Sequence, residues 1–325
     1  MNSFFKNINE NYNTICFNYE MQGFVNHTAI DKIVNRYDYI ITNEKPHIVN
    51  KLKSALNDLG KIVLIANDID IQRYDYVIEK KNEYYLLSQT NKIFSKTYFL
   101  TTNSYDVNDN MTMPAILDLI QDCAGLHAEK LGVGYHDFVE KNFAWILMRT
   151  KVELTRPITE NQIVVRTWQS NEGRVDFNRD LVLETINGEV LGCAVTKWCV
   201  IDYLSRRIIP SSKLGTNNTF YQLQNLDPFL KIADSVTTNN HNSFKVLPLM
   251  MDHNGHMNNT KYAEMIMNSL PLGINIEKFE INYIHEAVYG DIIDLYWQNE
   301  NLEYLFEGKL NDSTSVKAKV KIWKE

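Results

Sequence analysis

Two short stretches rich in Asn and Asp set the plan of this chain. Met251–Thr260 reads M-D-H-N-G-H-M-N-N-T and Tyr105–Pro114 reads Y-D-V-N-D-N-M-T-M-P. Aligned, they place Asp106 over Asp252, Asn108 over Asn254 and Asn110 over His256, an offset of 146 residues. Each is followed by an apolar, helix-like run and then by a strand-rich segment. Further on, Val152–Trp168 lies over Ile281–Trp297 at the shorter offset of 129, which sets Pro157 where the second copy has Glu286. A two-fold repeat at this scale indicates a duplicated domain rather than a solenoid.

The local patterns fill in the repeat. In the first copy, Pro114 opens a helix through Ile116, Leu117, Leu119, Ile120, Cys123, Ala124 and Leu126, whose apolar residues cover more than one face and predict burial nearly all round. Strands are expected at about 144–154, 162–169, 177–184, 190–202 and 207–209. A stretch rich in Thr and Asn, about 211–240, reads as a linker. The second copy then offers a strand at 244–247, a helix from Asn258 that Pro271 stops, and strands near 277–284, 290–297, 302–309 and 315–323. In that copy a carboxylate, an amide and an imidazole (Asp252, Asn254, His256) alternate just before a helix start, where free N–H groups and a partial positive charge gather. Such an arrangement can cradle a developing oxyanion and a water that must lose a proton. Only the second copy has both an imidazole and a matching carboxylate, so a single active site belongs there.

Residues 1–95 read differently. A strand at Tyr37–Thr42, a helix opened by Pro46 with Ile48, Leu52, Ala55, Leu56 and Leu59 on one face and closed by Gly60, and strands at 61–66, 74–78 and 83–87 make a small α/β appendage. It carries no glycine-rich phosphate loop, so no nucleotide or other cofactor is expected.

The chain has 325 residues and a net charge of −7, a balance that argues against general nucleic-acid affinity. The four cysteines (Cys16, Cys123, Cys193, Cys199) show neither C-x-x-C nor zinc spacing and read as reduced thiols. Asp252, His253 and His256 could ligate a metal, but without a second cluster no metal site is expected. The first residues are too polar for a signal peptide, and the strongest apolar run among them falls far short of the ~20 residues that span a bilayer. The expectation is a soluble, cytoplasmic protein without membrane insertion.

One helix wrapped by a long antiparallel sheet, twice over, is the pattern of a tandem hotdog. From about Thr97 onward the chain resembles the acyl-acyl carrier protein (acyl-ACP) thioesterases, a group with plant plastid and bacterial members. The resemblance rests on Gln121, Ala124, His127, Gly132, Gly134, Asn142, Trp145, Arg149, Thr167–Trp168, Gly173, Arg179, Trp198, Asp202 and Arg206–Arg207 in the first copy. In the second it rests on D-x-N-x-H-x-N-N (Asp252 to Asn259) and Lys261–Tyr262. It implies an α+β fold of two hotdog repeats, each a long antiparallel sheet around a central helix. The boundaries expected are an appendage at 1–95, a first repeat at 96–212 that shapes the substrate cavity, a linker at 213–240, and a catalytic repeat at 241–325. It further implies hydrolysis of fatty acyl-ACP to free fatty acid, with Asp252, Asn254, His256 and Glu286 as the machinery. Either Glu286 or His256 would activate water, Asn254 would orient it or the thioester oxygen, and Asp252 would fix Asn254. The family's plant members carry a cysteine after the matching glutamate; here Ala287 stands there, which favours direct hydrolysis over a thiol nucleophile. His127 is expected to pack rather than to catalyse, and Asp106 and Asn108 to survive as caps.

The implied partner, ACP carrying an acyl-phosphopantetheine, is acidic, so a net-negative chain must dock it through a local basic surface. Arg149, Lys151, Arg156, Arg174, Arg179, Arg206 and Arg207 are the candidates. Hydrolysis of acyl-CoA, non-enzymatic binding of acyl thioesters and a hotdog dehydratase are the competing functions. Whether the protein forms a homodimer, and which acyl chain length it prefers, are open at this level.

Overall fold

The computed structural model describes residues 14–17, 25–27, 37–44, 49, 56–66, 76–80, 84–89, 92–214, 226, 229–232, 236, 238 and 240–324. The chain divides into two units, Met1–Ile93 with Ile186–Gly188 and the remainder. In the first, β1 (Thr14–Phe17), β2 (Val25–His27), β3 (Tyr37–Thr42), β4 (Leu56–Leu64), β5 (Tyr76–Lys80) and β6 (Tyr85–Gln89) form a mixed sheet in the order β2-β1-β3-β4-β6-β5. The links β2-β1-β3-β4 are parallel, and β6 pairs antiparallel with β4 and β5. The expected helix needs correction at its end. Leu56, Leu59 and Gly60 lie in β4, where pairing with β3 overrides their helix-like spacing. Most of the remainder of that helix lies outside the described residues, as does most of the linker.

The second unit carries the duplication. Its first copy runs β7 (Ile93–Phe99), α1 (Met113–Lys130), the short α2 (Tyr135–Val139), β8 (Phe143–Leu154), β9 (Gln162–Glu172), β10 (Asp176–Thr185) and β11 (Val190–Asp202). Its second runs β12 (His241–Lys245), α3 (Asn259–Met267), β13 (Ile276–Tyr283), β14 (Ile292–Glu300), β15 (Glu303–Leu310) and β16 (Ser313–Ile322). The two expected sheets meet through β8 and β13 and run on as one ten-stranded sheet, β12-β14-β15-β16-β13-β8-β11-β10-β9-β7. Read outward from the seam, the halves have the same strand order, 8-11-10-9-7 against 13-16-15-14-12.

The seam is centred on the repeat itself. Across it Val152 pairs with Phe279, Lys151 with Glu280 and Thr150 with Ile281. At the offset of 129, Thr150 corresponds to Phe279 and Val152 to Ile281, so equivalent positions exchange partners about Lys151 and Glu280. This is the isologous pairing of a two-fold interface, drawn within one chain. α1 and α3 lie against one another, and Ile116, Leu117, Ile120, Ala263 and Ile266 join Val152, Leu181, Phe279 and Ile281 in a shared apolar core. α1 is less enclosed than its sequence suggests, for Asp118, Asp122, Gly125 and Leu126 are exposed along one side. The strand expected at 207–209 is a single bridge, Ile201 to Ile208, because the chain turns sharply at Asp202–Arg207.

Candidate active site

The two Asn/Asp motifs fold into the same turn. Asp252 Oδ1 accepts the backbone N–H groups of Asn254 (2.8 Å) and His256 (3.3 Å), and the Asp252 N–H donates to the His256 carbonyl (2.8 Å). In the first copy Asp106 Oδ1 accepts from Asn108 (2.8 Å) and Asn110 (3.0 Å), and its N–H donates to the Asn110 carbonyl (2.8 Å). The fourth position is left-handed in both, Gly255 at φ 79° and Asp109 at φ 58°. Thr112 then caps α1 and Asn258 caps α3 through their side-chain oxygens. The next contact returns to the other offset, as the Met111 N–H donates to the Ile158 carbonyl and the Met257 N–H to the Ala287 carbonyl.

The side chains on these turns diverge. In the first copy they are spent on structure: Asn108 Nδ2 donates to the Gly273 carbonyl (3.0 Å) and Asn110 Nδ2 to Asn275 Oδ1 (2.8 Å). In the second, Asp252, Asn254 and His256 border a cavity of about 1100 Å³. His256 Nε2 lies 3.3 Å from Glu286 Oε2, and the Arg206 guanidinium donates to the same carboxylate oxygen. Glu286 stands in the loop after β13 rather than on a strand, and its neighbours fix it there. The Ala287 N–H donates to Tyr262 Oη (3.2 Å), the Ser315 hydroxyl to the His285 carbonyl (2.7 Å), and the Ile284 and His285 N–H groups to the Ser315 carbonyl. Burial pushes the Tyr262 phenol up, so it stays neutral in this role. Ala287 itself is wholly buried and faces the core. His253 turns aside and meets the Tyr135 ring edge-on at 4.6 Å.

Beyond these residues the cavity runs along the open side of α1 toward Leu126, Phe138, Trp145, Phe177 and Trp198. The aromatic rings pack on one another, Phe138 on Trp145 at 5.3 Å and Trp145 against Phe177 at 5.2 Å. The site thus has a charged rim and an interior in which this aromatic cluster adjoins polar groups, Gln169, Asn178 and Arg179 among them. His127 is fully buried, stacked on Phe94 at 5.9 Å, with its Nδ1 2.8 Å from the Arg179 guanidinium.

The seven basic residues picked out for docking fall in different places. Lys151 is buried at the centre of the seam, and Arg149 is tied to Glu280 and the Leu230 carbonyl beneath the Phe229 ring. Arg179 lines the cavity, where desolvation pulls it down to about 10 while leaving it a cation at neutral pH. Arg156 is held by Glu160 and Glu189. Those four positions do not present free charge to a partner. Arg174, Arg206 and Arg207 are exposed, and Arg206 reaches into the site. Tyr262 was visible in sequence as part of a signature without a role; Ser315 carried no signal, since its contact exists only once β16 is laid beside β13.

Comparison with known proteins bears on the family and the fold. A family model described as the acyl-ACP thioesterase N-terminal domain matches residues 91–213, and one for the C-terminal domain matches 233–325. The chain is 21% identical over 260 residues to an oleoyl-acyl carrier protein thioesterase of Coriandrum sativum, covering 73% of this chain and 70% of that protein. To a palmitoyl-acyl carrier protein thioesterase of Gossypium hirsutum it is 29% identical over 214 residues, 60% of this chain but about half (51%) of the relative's length. Among solved structures, an acyl-ACP thioesterase from Bacteroides thetaiotaomicron superposes with a TM-score of 0.63 at 25% identity, covering 72% of this chain and 98% of that one. The 12:0-ACP thioesterase of Umbellularia californica gives 0.64 at 18% identity over the same share of this chain, a likeness of fold.

Proposed function

This chain belongs to the acyl-ACP thioesterase family of thioester hydrolases, and from that premise we propose that it releases free fatty acid from fatty acyl-ACP at the Asp252–Asn254–His256–Glu286 site. The observation that carries the reading is the convergence of His256 and Glu286 at 3.3 Å on the rim of a cavity that reaches an aromatic cluster, with Asn254 lining the same cavity. His256 takes the proton of a water molecule, the arrangement in which a carboxylate at Nε2 leaves Nδ1 as the proton acceptor. The water oxygen forms a bond to the thioester carbonyl carbon, and the charge moves to the carbonyl oxygen. The donor bordering the cavity that can meet this charge is the Asn254 carboxamide, since the Thr260 and Lys261 N–H groups at the start of α3 donate to the Asn258 side chain and carbonyl. Collapse of the tetrahedral species breaks the C–S bond, and the leaving thiolate takes the proton back from His256. Asp252 holds the turn that aims Asn254 and His256.

The acyl chain occupies the aromatic interior supplied by the first repeat, and the pantetheine arm enters over the rim. ACP docks beside that rim, where Arg174 and Arg207 are exposed and Tyr203, Leu204 and Ile208 offer apolar surface. The two repeats already form the shared sheet that single hotdogs obtain by pairing, so the reading requires no homodimer. No helix among the described residues is long and apolar enough to cross a membrane, and the free thiols of Cys123, Cys193 and Cys199 suit a cytoplasmic setting. The test is fatty-acid release from matched ACP and CoA thioesters, with His256→Ala and Glu286→Ala alongside. Carrier-dependent release that both variants lower by 10²-fold or more is the expected result. Preference for CoA would move the substrate, and full activity in both folded variants would overturn the site.

A further inference from the structure

The residue at this site that no part of the machinery above accounts for is Arg206. It comes from the first repeat, on the turn that follows β11, and reaches the carboxylate of Glu286 in the second. The turn is built to hold it there. Asp202 Oδ1 accepts from the Ser205 N–H (2.7 Å) and hydroxyl (2.8 Å), the Arg206 N–H donates to the Asp202 carbonyl (2.8 Å), and the Asp202 N–H donates to the Arg207 carbonyl (2.8 Å). The Tyr203 N–H ties the turn to the Asn142 carbonyl (2.7 Å). Arg206 itself sits at φ 57°, a left-handed conformation that side chains other than glycine adopt at a cost. An exposed arginine kept for docking would need none of this, because its long side chain can find an acidic partner from an extended backbone.

Resting on the hydrolase reading, we propose that Arg206 is a positioning residue: it clamps the Glu286 carboxylate so that Glu286 in turn orients His256 for attack. Glu286 Oε2 is the shared atom, bonded to the guanidinium on one side and 3.3 Å from His256 Nε2 on the other. With an arginine on that oxygen the carboxylate is held in place and cannot swing away into the open mouth of the cavity. Glu286 then works as the anionic partner of the imidazole, and His256 is left as the group that takes the proton. The catalytic pair of one repeat is thereby completed by a side chain of the other.

Docking and positioning separate in the kinetics. Arg206→Ala and Arg206→Lys are assayed with acyl-ACP and with the same acyl group on N-acetylcysteamine, which has no carrier protein. Positioning predicts that kcat falls about 10–100-fold for both thioesters in Arg206→Ala, with KM little changed. Arg206→Lys recovers part of the loss, and added guanidinium restores turnover to Arg206→Ala. The ion pair is half exposed, so thermal unfolding of the variant should stay close to that of the parent and the loss cannot be charged to misfolding. A rise in KM confined to acyl-ACP, with kcat intact, overturns the proposal in favour of docking, and unchanged kinetics on both substrates overturn it outright. A parent protein inactive on both thioesters would overturn the hydrolase reading, and with it any role for Arg206 in hydrolysis.

Discussion

The duplicated turn supplies its own control for the proposed role of Asp252. Asp252→Ala and Asp106→Ala remove equivalent carboxylates, each accepting two backbone N–H groups from a half-buried position. A capping carboxylate of this kind contributes about 1–2 kcal/mol, once solvent exposure is allowed for. Both variants should therefore lose a similar stability, which in a unit of this size lowers Tm by about 2–8 °C. Their catalytic effects should differ. Loosening the second turn frees Asn254 and His256, and a displacement of about 1 Å at reacting groups costs on the order of 10²-fold in kcat. Loosening the first frees Asn108 and Asn110, whose side chains hold Gly273 and Asn275 and border no reacting group. Urea unfolding and fatty-acid release, measured on the two variants side by side, check this. Equal losses of activity would refute the reasoning, because they would show that Asp252 acts through general stability alone. An Asp252→Ala protein that is destabilised yet fully active would refute it from the other side.

Two further outcomes follow from groups that take no part in the proposed chemistry. Burial pushes the Asp122 carboxyl up, but hydrogen bonds from Lys96 (2.8 Å) and Tyr98 (2.6 Å) outweigh it and hold the group below the usual carboxylate range. Its stabilising effect is thus present above the unfolded-state value near pH ~4 and lost as pH falls through the lower folded-state value. Asp122→Asn should flatten the acid limb of the urea-midpoint profile, and an unaltered limb would exclude this carboxyl as a source of acid sensitivity. Burial also pushes the thiols of Cys123 and Cys193 up to about 12, so iodoacetamide at pH 8 should leave both unlabelled and hydrolysis unchanged. Inactivation that tracks alkylation of one cysteine in folded protein would reinstate a thiol in the mechanism.

The parts of this structure that could be read from the sequence were those specified locally. Turn, cap, helix and strand recur in a fixed order, and the two offsets of 146 and 129 reappear as hydrogen bonds, at Met111 with Ile158 and at Met257 with Ala287. Strand β11 falls at Val190–Asp202, the range expected for it. The misreadings came where distant chain decides. Leu56 and Leu59 have helical spacing, and it is the neighbouring β3 that draws them into a strand. Lys151 and Arg149 look like surface charges on an alternating strand, yet the seam with β13 buries one and pairs the other. Arg206 looked like one of several basic residues, since nothing local announces a partner 80 positions away.

That distance bears on how one site arises from two copies. The turn geometry is retained in both, so it is needed for the fold and cannot by itself distinguish a catalytic copy. The distinction lies in what surrounds the turn. Pro157 removes the carboxylate from one copy, and Asn108 and Asn110 close on Gly273 and Asn275. In the other copy His256 and Glu286 remain open to the cavity, and residues of the first repeat complete their surroundings: Arg206 on the carboxylate, Tyr135 against His253, and the aromatic interior beyond. On the proposed reading, the first copy exchanges a second site for the walls and clamp of the one in the second copy. The symmetric seam permits that exchange, because pairing about Lys151 and Glu280 holds the repeats in register whatever their side chains do at the cavity.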